Sequence, residues 1–412
     1  MSEPAADKLP QSSVPAGDKP PAGAGSAPVL VALVVGQLGL HSAMAGLRLA
    51  APLQALREGY SAWSVGVLLA LFAAAPVLLA LHAGRMADRH GYHRPVHVSV
   101  AMAALGMLMA VASTFVSGVA HFGLLCLAAM LTGSGANTGM LAIQRTATLS
   151  ARDDTERVRL FSWLGIAPSL SNVIGPVAAG FVIDAAGFRW AYVLLMLMPL
   201  VTMWSARSVP RLAPPAPLPY AGTRTAWELL KVPGFRRLLA INWLLSMCWD
   251  VHSFAVPILG HERGFSATTI GLILGTFTLA VSGIRLVVPL VAHRMQQVLV
   301  IRSAMLGTGA VFVLYPLAPT APWMAACAVL LGVTLGAVQP MIMSTLHHLT
   351  PDQRHGEALA LRSMAMNGSS TVMPLVFGLL GSVIGAGVLF WMVAGSVSSG
   401  AWLTRRLKSV RT

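Results

Sequence analysis

The sequence predicts an all-α integral membrane protein with twelve transmembrane helices in two pseudo-symmetric six-helix bundles. Three observations carry this prediction: the composition, the run of apolar segments and an internal repeat. Hydrophobic residues make up 56% of the 412 residues and charged residues 10%, whereas soluble proteins carry roughly 25% charged residues. A mean hydropathy of +0.71 cannot be buried in one soluble core, so most of the surface must contact lipid.

Twelve apolar segments follow a tail rich in Pro, Ala, Gly and Ser, and each has the roughly 20 residues that a helix needs to cross a bilayer. We expect the tail, residues 1–27, to be a disordered cytoplasmic segment and not a signal peptide, because no short apolar core and cleavage site follow a basic region. The predicted helices are 28–56, 63–83, 95–115, 118–144, 158–182, 188–207, 236–260, 267–290, 298–317, 321–347, 358–383 and 386–404.

The longest polar break, residues 208–235, contains the run PPAPLP. Proline holds a chain extended, so this segment is predicted to be a cytoplasmic linker. It separates an N-terminal bundle, 28–207, from a C-terminal bundle, 236–405, and a basic cytoplasmic tail, 406–412, ends the chain.

The two halves repeat each other at nearly constant offsets. One set of matches lies 205 residues apart and a second set 198 residues apart, in the same helix order. The matched residues are Pro52 with Pro257, Gly66 with Gly271, Pro176 with Pro374, and Gly180 with Gly378. Two matches that preserve helix order indicate a duplicated six-helix unit.

The distribution of Lys and Arg predicts the orientation. With the N-terminus inside, 23 of the 28 basic residues fall on the cytoplasmic side and 3 outside, while Arg48 and Arg285 lie within helices. We therefore expect a multi-pass protein of the inner or plasma membrane with both termini cytoplasmic. The net charge of +14 is then a topology signal, and no nucleic-acid partner is expected. The three cysteines lie in separate apolar segments, which suggests neither disulfides nor a metal site.

The loop after the second helix reads GRMADRHGYHR over residues 84–94. This loop resembles the G-x-x-x-D-R-x-G-R-R loop of the major facilitator superfamily. Together with the twelve helices, the linker and the repeat, the resemblance extends over residues 28–405. It implies a secondary transporter whose helices one, four, seven and ten line a central cavity.

The resemblance implies that this loop latches the two halves together in the outward-facing state, and a solvated charged loop is the alternative. A carboxylate in the loop can accept hydrogen bonds at the N-terminus of a neighbouring helix. The residues of the predicted latch are Gly84, Asp88, Arg89, Gly91 and Arg94.

The fifth helix carries Gly175, Pro176 and Gly180, which resemble the superfamily's G-x-x-x-G-P-x-x-G-G antiporter motif, with Ser171 and Ala179 in place of two glycines. Proline permits a bend and glycine a close helix contact, so the motif predicts either gating or packing. The R-x-x-Q-G pattern of proton-coupled drug exporters is absent from the fourth helix, which reads AMLTG over residues 129–133.

Charges within the membrane predict the binding site, because each costs several kcal/mol unless it is paired or wet. Asp250 lies 12 residues before Glu262, about 18 Å deep, and Arg48 lies 9 residues before Arg57, about 14 Å deep. Two roles remain open for Asp250 and Arg48. They form a static ion pair between helices one and seven, or Asp250 holds a proton or cation while Arg48 holds an anionic group.

Further candidates carry polar or aromatic groups within the predicted helices. Arg285 is a second anion contact or a gate, and the histidines relay protons or fill structural roles. The amide side chains orient a substrate or join helices, and the tryptophan contacts a lipophilic substrate or packs. These candidates are His41, Asn137, Gln144, Asn242, Trp249, His252, Arg285 and Gln339.

The sequence shows no nucleophile–base pair and no nucleotide-binding loop at recognisable spacing, so neither an enzyme nor direct ATP drive is expected. The predicted function is a secondary active transporter, without a cofactor, that exports a small amphipathic or lipophilic compound in exchange for protons. Proton-linked uptake of a small organic acid is the alternative, since buried arginines outnumber buried acids, and a non-transporting receptor is the third. We expect the protein to function as a monomer in the lipid bilayer.

Overall fold

A computed structural model describes residues 27–150, 160, 163–211, 226–232, 234–291, 296–350 and 355–406. These residues form twelve long α-helices, and no strand occurs among them. The helices are α1 Ala27–Arg57, α2 Ala62–His90, α3 His93–Ser113, α4 Gly118–Ser150, α5 Ile166–Ala186, α6 Phe188–Ala206, α7 Phe235–Glu262, α8 Ala267–Val291, α9 Gln297–Leu314, α10 Ala321–Leu349, α11 His355–Ile384 and α12 Ala386–Gly400. The predicted tails and most of the predicted linker lie outside the described residues.

The prediction of an all-α protein with membrane-spanning helices is confirmed. Eleven of the described helices are long and apolar enough to cross a bilayer. Helix α7 is the twelfth, and it falls short on composition because Asn242, Asp250 and His252 lower its mean hydropathy. Of these polar side chains, Asp250 and His252 line the cavities described below.

Short turns join the helices on one side of the protein, which we call the short-loop side. These connections are residues 58–61, 114–117, 187, 263–266, 315–320 and 385. The opposite side, which includes the segment between α6 and α7, is called the linker side. Helices α1 to α6 pack together as one bundle and α7 to α12 as a second.

The two bundles meet mainly through two helix pairs, α5 with α8 and α2 with α11, and α7 makes smaller contacts with α1 and α2. Both main contacts involve small residues on the short-loop side. A side chain at Gly66 would overlap the carbonyl of Pro374, and one at Gly271 would overlap the carbonyl of Pro176. Gly180 likewise lies against the backbone of Ala267. Glycine permits such backbone approach between membrane helices.

The residues that meet across the bundles are the residues that repeat in the sequence. Gly66 and Gly271 are matched by the repeat, and so are their partners Pro374 and Pro176. Gly180 and Gly378 also correspond, and each approaches the first residue of the opposing helix, Ala267 or Ala62. The repeat therefore produces two equivalent contacts that close the short-loop side.

Candidate functional site

A cavity of about 330 Å³ lies between the two bundles. Its walls come from α1, α5, α7, α8, α10 and α11. The lining residues are Arg48, Pro168, Ser169, Asn172, Leu245, Ser246, Trp249, Asp250, Thr278, Arg285, Leu335, Val338, Gln339, Met366 and Ser370.

The packing of α5 on α8 explains where the cavity begins. Val173 and Val177 lie against Gly275, so the two helices touch from their short-loop ends to about their middles. Asn172, the neighbour of Val173, and Thr278, about one turn beyond Gly275, already line the cavity. The helices therefore diverge in their linker-side halves, and the cavity is closed toward the short-loop side.

Asp250 is the acidic residue of the cavity and is 5% exposed. Both of its carboxylate oxygens accept hydrogen bonds from α11. Ser369 Oγ donates to Oδ2 at 2.7 Å and Ser370 Oγ donates to Oδ1 at 3.1 Å. The carboxylate is thus held by two hydroxyl groups of its own bundle, which sequence reasoning missed.

Arg48 of α1 faces the same cavity as Asp250, as the matching depths of the two residues predicted. An electrostatic interaction acts between the two groups. Between these two described side chains, however, there is no ion pair within 4.0 Å. In this conformation the carboxylate bonds to Ser369 and Ser370 rather than to Arg48. The binding role of Arg48 and Asp250 stays a prediction.

A second basic region lies on the cavity wall nearer the linker side. Arg285 of α8 and Gln339 of α10 both line the cavity. Arg362 Nη2 donates a hydrogen bond to Gln339 Oε1, and Arg362 and Arg285 are close enough for their positive charges to repel each other. Arg362 lies within α11 and was not among the site residues that the sequence predicted.

A smaller cavity of about 50 Å³ adjoins Arg48, Trp249, His252 and Ser253. The His252 ring is fully buried, its Nε2 lies 3.0 Å from Tyr315 Oη, and its Nδ1 has no hydrogen-bond partner among the described residues. Both Trp249 and His252 pack against the Phe277 ring. The proton-relay role of His252 stays a prediction.

The other polar candidates do not line either cavity. Asn242 is 1% exposed, and neither atom of its amide has a partner among the described residues. The Nδ1 of His41 is likewise unpartnered there. Asn137 and Gln144 lie on α4, which packs against α2 and α3 and supplies none of the described lining residues. The resemblance implied that helices one, four, seven and ten line the cavity. The described lining residues come from α1, α7 and α10, as expected, and also from α5, α8 and α11, whereas α4 supplies none of them.

The described hydrogen bonds of residues 84–94 stay within the N-terminal bundle, and one of them leaves the segment, since His93 Nε2 lies 3.0 Å from Val209 O. Arg94 Nη1 lies 2.6 Å from His90 Nε2, and nothing lies within 4 Å of a side chain built at Gly84. Gly91 has a φ of 67°, which explains a glycine at this turn. Arg89 is exposed, and the side chain of Asp88 lies outside the described residues. The latching role of the segment remains a prediction.

The fifth-helix motif serves two contacts. Gly175 lies against the backbone of Ser42 and Gly46 in α1, so it packs within its own bundle. Pro176 and Gly180 face α8 across the bundle boundary. Both contacts are close packing, and a role of Pro176 and Gly180 in gating stays a prediction.

Asp184 joins the two bundles at the short-loop end of α5, and sequence reasoning missed it. Its Oδ1 accepts a hydrogen bond from the Ala267 backbone N–H at 3.0 Å, and its Oδ2 accepts one from the Thr268 N–H at 2.7 Å. The carboxylate therefore caps the positive end of α8, and Arg57 Nη2 lies 3.8 Å from Oδ1. A signal did exist, because Asp184 follows Gly180 by one helical turn on the same face.

We expect Asp184→Ala to favour opening of the short-loop side. Two charge-assisted hydrogen bonds and a helix-dipole interaction at a partly exposed site are worth roughly 1–2 kcal/mol, or about five- to thirtyfold in population. The measurement is the labelling of Ser253→Cys, in a background without native cysteines, by an impermeant thiol reagent added to intact cells. Labelling is expected to accelerate by at least about fivefold.

The matched control is Ser382→Ala. By the repeat offset of 198 residues, Ser382 stands where Asp184 stands in the first half, and its hydroxyl bonds only to Leu379 of its own helix. Labelling in the control should match the parent. Equal labelling rates in Asp184→Ala and Ser382→Ala would show that the cap does not hold the short-loop side closed.

Two membrane-embedded bundles that close on one side around a central cavity define the class of secondary transporters. The sequence model of the Major Facilitator Superfamily matches residues 30–296 and 238–410. The chain therefore belongs to this superfamily. The relatives and solved structures described below are transporters and not enzymes.

Similar proteins agree with this assignment. The chain is 28% identical over 366 residues to the uncharacterized MFS-type transporter YhhS of Escherichia coli K12, covering 85% of each chain. It is 33% identical over 116 residues to the class B tetracycline resistance protein of Escherichia coli, covering 28% of this chain and 27% of the relative.

Solved structures share the fold at low sequence identity. A POT family transporter in complex with a thioalcohol-conjugated peptide aligns with a TM-score of 0.72 and 14% identity, covering 90% of this chain and 94% of its own. The nucleoside transporter NupG aligns with a TM-score of 0.72 and 12% identity, covering 92% and 100%.

Proposed function

We propose that the protein exports a small amphipathic compound from the cytoplasm in exchange for protons, by alternating access. The observation that carries the proposal is the cavity between the bundles, with its apolar walls, its single described carboxylate and its closed short-loop side. In the proposed orientation the linker side is cytoplasmic, since most Lys and Arg residues are assigned to it. The structure then corresponds to an inward-facing state.

The cavity suits a compound that is partly apolar. Its volume of about 330 Å³ lies at the lower end of the roughly 300–1,000 Å³ of ligand pockets. Apolar side chains from four helices form one part of the wall, and charged, amide and hydroxyl groups form the rest. The apolar lining residues are Pro168, Leu245, Trp249, Leu335, Val338 and Met366.

Asp250 is the proposed proton carrier. It is an ionisable group at the point where the substrate binds, and an acid within a membrane helix commonly marks a proton path. Its position at the boundary between cavity and bundle allows binding of the substrate to influence its protonation. His252 and His41 are the remaining candidates for this role.

Export is the proposed direction for two reasons. The short segment of similarity to the tetracycline resistance protein favours outward transport, and so does the partial antiporter motif in α5. One observation favours the other direction: Arg48 and Arg285 outnumber Asp250 on the described cavity wall, which suits proton-linked uptake of a small organic acid.

The test is reconstitution of the purified protein in liposomes with a pH-sensitive dye inside. A solute pool added on one side is expected to drive proton movement in the opposite direction, and a proton uncoupler should abolish the signal. Proton movement in the same direction as the solute would favour the uptake candidate. Binding of solutes without any flux would contradict both and favour a receptor.

A further inference from the structure

We infer that the substrate is an amphipathic organic anion, whose acidic group is bound by Arg48 after a first contact with Arg285. The inference rests on the proposed role of the cavity as the substrate site, but not on the direction of transport. It adds a charge class to the substrate and assigns the charged contacts.

The first argument is the charge of the cavity. Two guanidinium groups and one carboxylate line it among the described residues. A third guanidinium, that of Arg362, adjoins the wall through its hydrogen bond to Gln339 and lies in the field of Arg285. The described wall therefore has an excess of positive charge, and an anion would reduce the repulsion.

The second argument is the hydrogen-bonding state of the charged groups. Asp250 already accepts hydrogen bonds from Ser369 and Ser370. The guanidinium groups of Arg48 and Arg285 make no hydrogen bond or ion pair with the residues that the structure describes. Five N–H donors per guanidinium in a planar fork match a carboxylate or sulfonate in a bidentate manner. The N–H groups of Arg48 and Arg285 are therefore available to bind the acidic group of a ligand.

The third argument is the order of the two arginines along the cavity. Thr278 and Arg48 each line both the larger cavity and the smaller one, so they lie at a similar level. Arg285 follows Thr278 by seven residues on α8, about 10 Å nearer the linker side. An anion that enters from the linker side meets Arg285 first and Arg48 last. The apolar part of the ligand then lies against Trp249 and Leu335.

The test uses a set of compounds that share one skeleton and differ in charge: 2-naphthoate, 2-naphthalenesulfonate, 2-naphthamide and 2-naphthylmethylammonium. The corresponding phenyl compounds form a second, smaller set. Binding to the purified full-length protein in detergent is measured by titration. The two anions are expected to bind at least about tenfold more tightly than the amide or the ammonium compound. The inference is overturned if no anion of the set binds, or if the ammonium compound binds most tightly.

Variants identify the contacts. Arg48→Gln and Arg285→Gln are each expected to reduce the preference for the anion over the amide by about tenfold or more, while affinity for the amide stays unchanged. Arg48→Lys, which keeps the charge but loses the planar fork, should lie between the wild type and Arg48→Gln. Arg302→Gln on α9, a residue outside both cavities, should behave as the wild type. An anion preference that persists in both glutamine variants would also overturn the inference.

Flux measurements separate this inference from the proposed function. Anion transport that is independent of protons would remove the proposed coupling and leave the anion site intact. Proton movement that is driven only by neutral or cationic solutes would leave the coupling intact and remove the anion site.

Discussion

Asp250→Asn is expected to abolish solute-dependent proton movement and to leave exchange of the solute across the membrane in place. Asparagine has the shape of aspartate but cannot carry the proton. Its carbonyl oxygen still accepts a hydrogen bond from one serine hydroxyl, and its NH₂ group donates to the oxygen of the other. The contact between α7 and Ser369 and Ser370 of α11 should therefore persist, so the variant separates proton binding from folding.

The measurement compares two signals in the same proteoliposomes: internal pH, and counterflow of the labelled solute that moves protons in the wild type. Proton movement should fall by at least about tenfold, a loss equivalent to about 1.4 kcal/mol or more, while counterflow continues. Ser370→Ala is the matched control, since it removes one hydrogen bond to Asp250 and keeps the carboxylate. Proton movement that survives in Asp250→Asn would leave Asp250 as a structural tie and make His252 or His41 the next candidates.

The fold was predictable because each of its determinants is local or repeated in the sequence. Length and hydropathy predict the spans, and the repeat predicts two equivalent halves. The repeated glycines and prolines turned out to meet each other, Gly66 on Pro374 and Gly271 on Pro176. Helix α7 shows the limit of hydropathy, because the side chains that a binding site needs make a helix less apolar.

The site was predictable only within single helices. Ser246 and Asp250 are four residues apart, a spacing that puts both on one face of α7, and both line the cavity. The partners of Asp250 lie 119 and 120 residues away in the chain, and serine is too common in membrane helices for a pattern to single them out. The sequence also did not indicate the contact of Arg362 with Gln339, because Arg362 lies near the predicted end of its helix.

One polar residue, Asp184, makes the two repeat-related contacts of the short-loop side unequal. Helix α8 has a carboxylate cap from the opposite bundle, that of Asp184, whereas the equivalent helix α2 begins at Ala62 without a side-chain cap. Backbone packing at glycine closes both contacts, and the cap adds an electrostatic contribution to one of them. The glycine contacts should therefore have the larger effect on closure.

Gly66→Leu is expected to prevent closure of the short-loop side and thereby to stop transport. A Cβ at Gly66 would overlap the carbonyl oxygen of Pro374, which belongs to the helix backbone and cannot rotate away. The clash lies between the bundles rather than within one, so α2 can keep its own packing while α11 is displaced. Because alternating access requires both sides to close in turn, a protein held open on one side cannot complete a cycle.

The measurement pairs solute-driven proton flux with labelling of Ser253→Cys from outside the cell. Flux should fall to a tenth or less, which corresponds to an activation free energy higher by about 1.4 kcal/mol or more. Labelling should be faster than in Asp184→Ala. Gly271→Leu, the equivalent substitution at the other contact, should give the same result because it meets the carbonyl of Pro176. Gly123→Leu on α4 is the control, since nothing lies within 4 Å of a side chain there. Normal flux in Gly66→Leu would mean that the bundles can close without this contact, and that the repeat-related glycines serve packing alone.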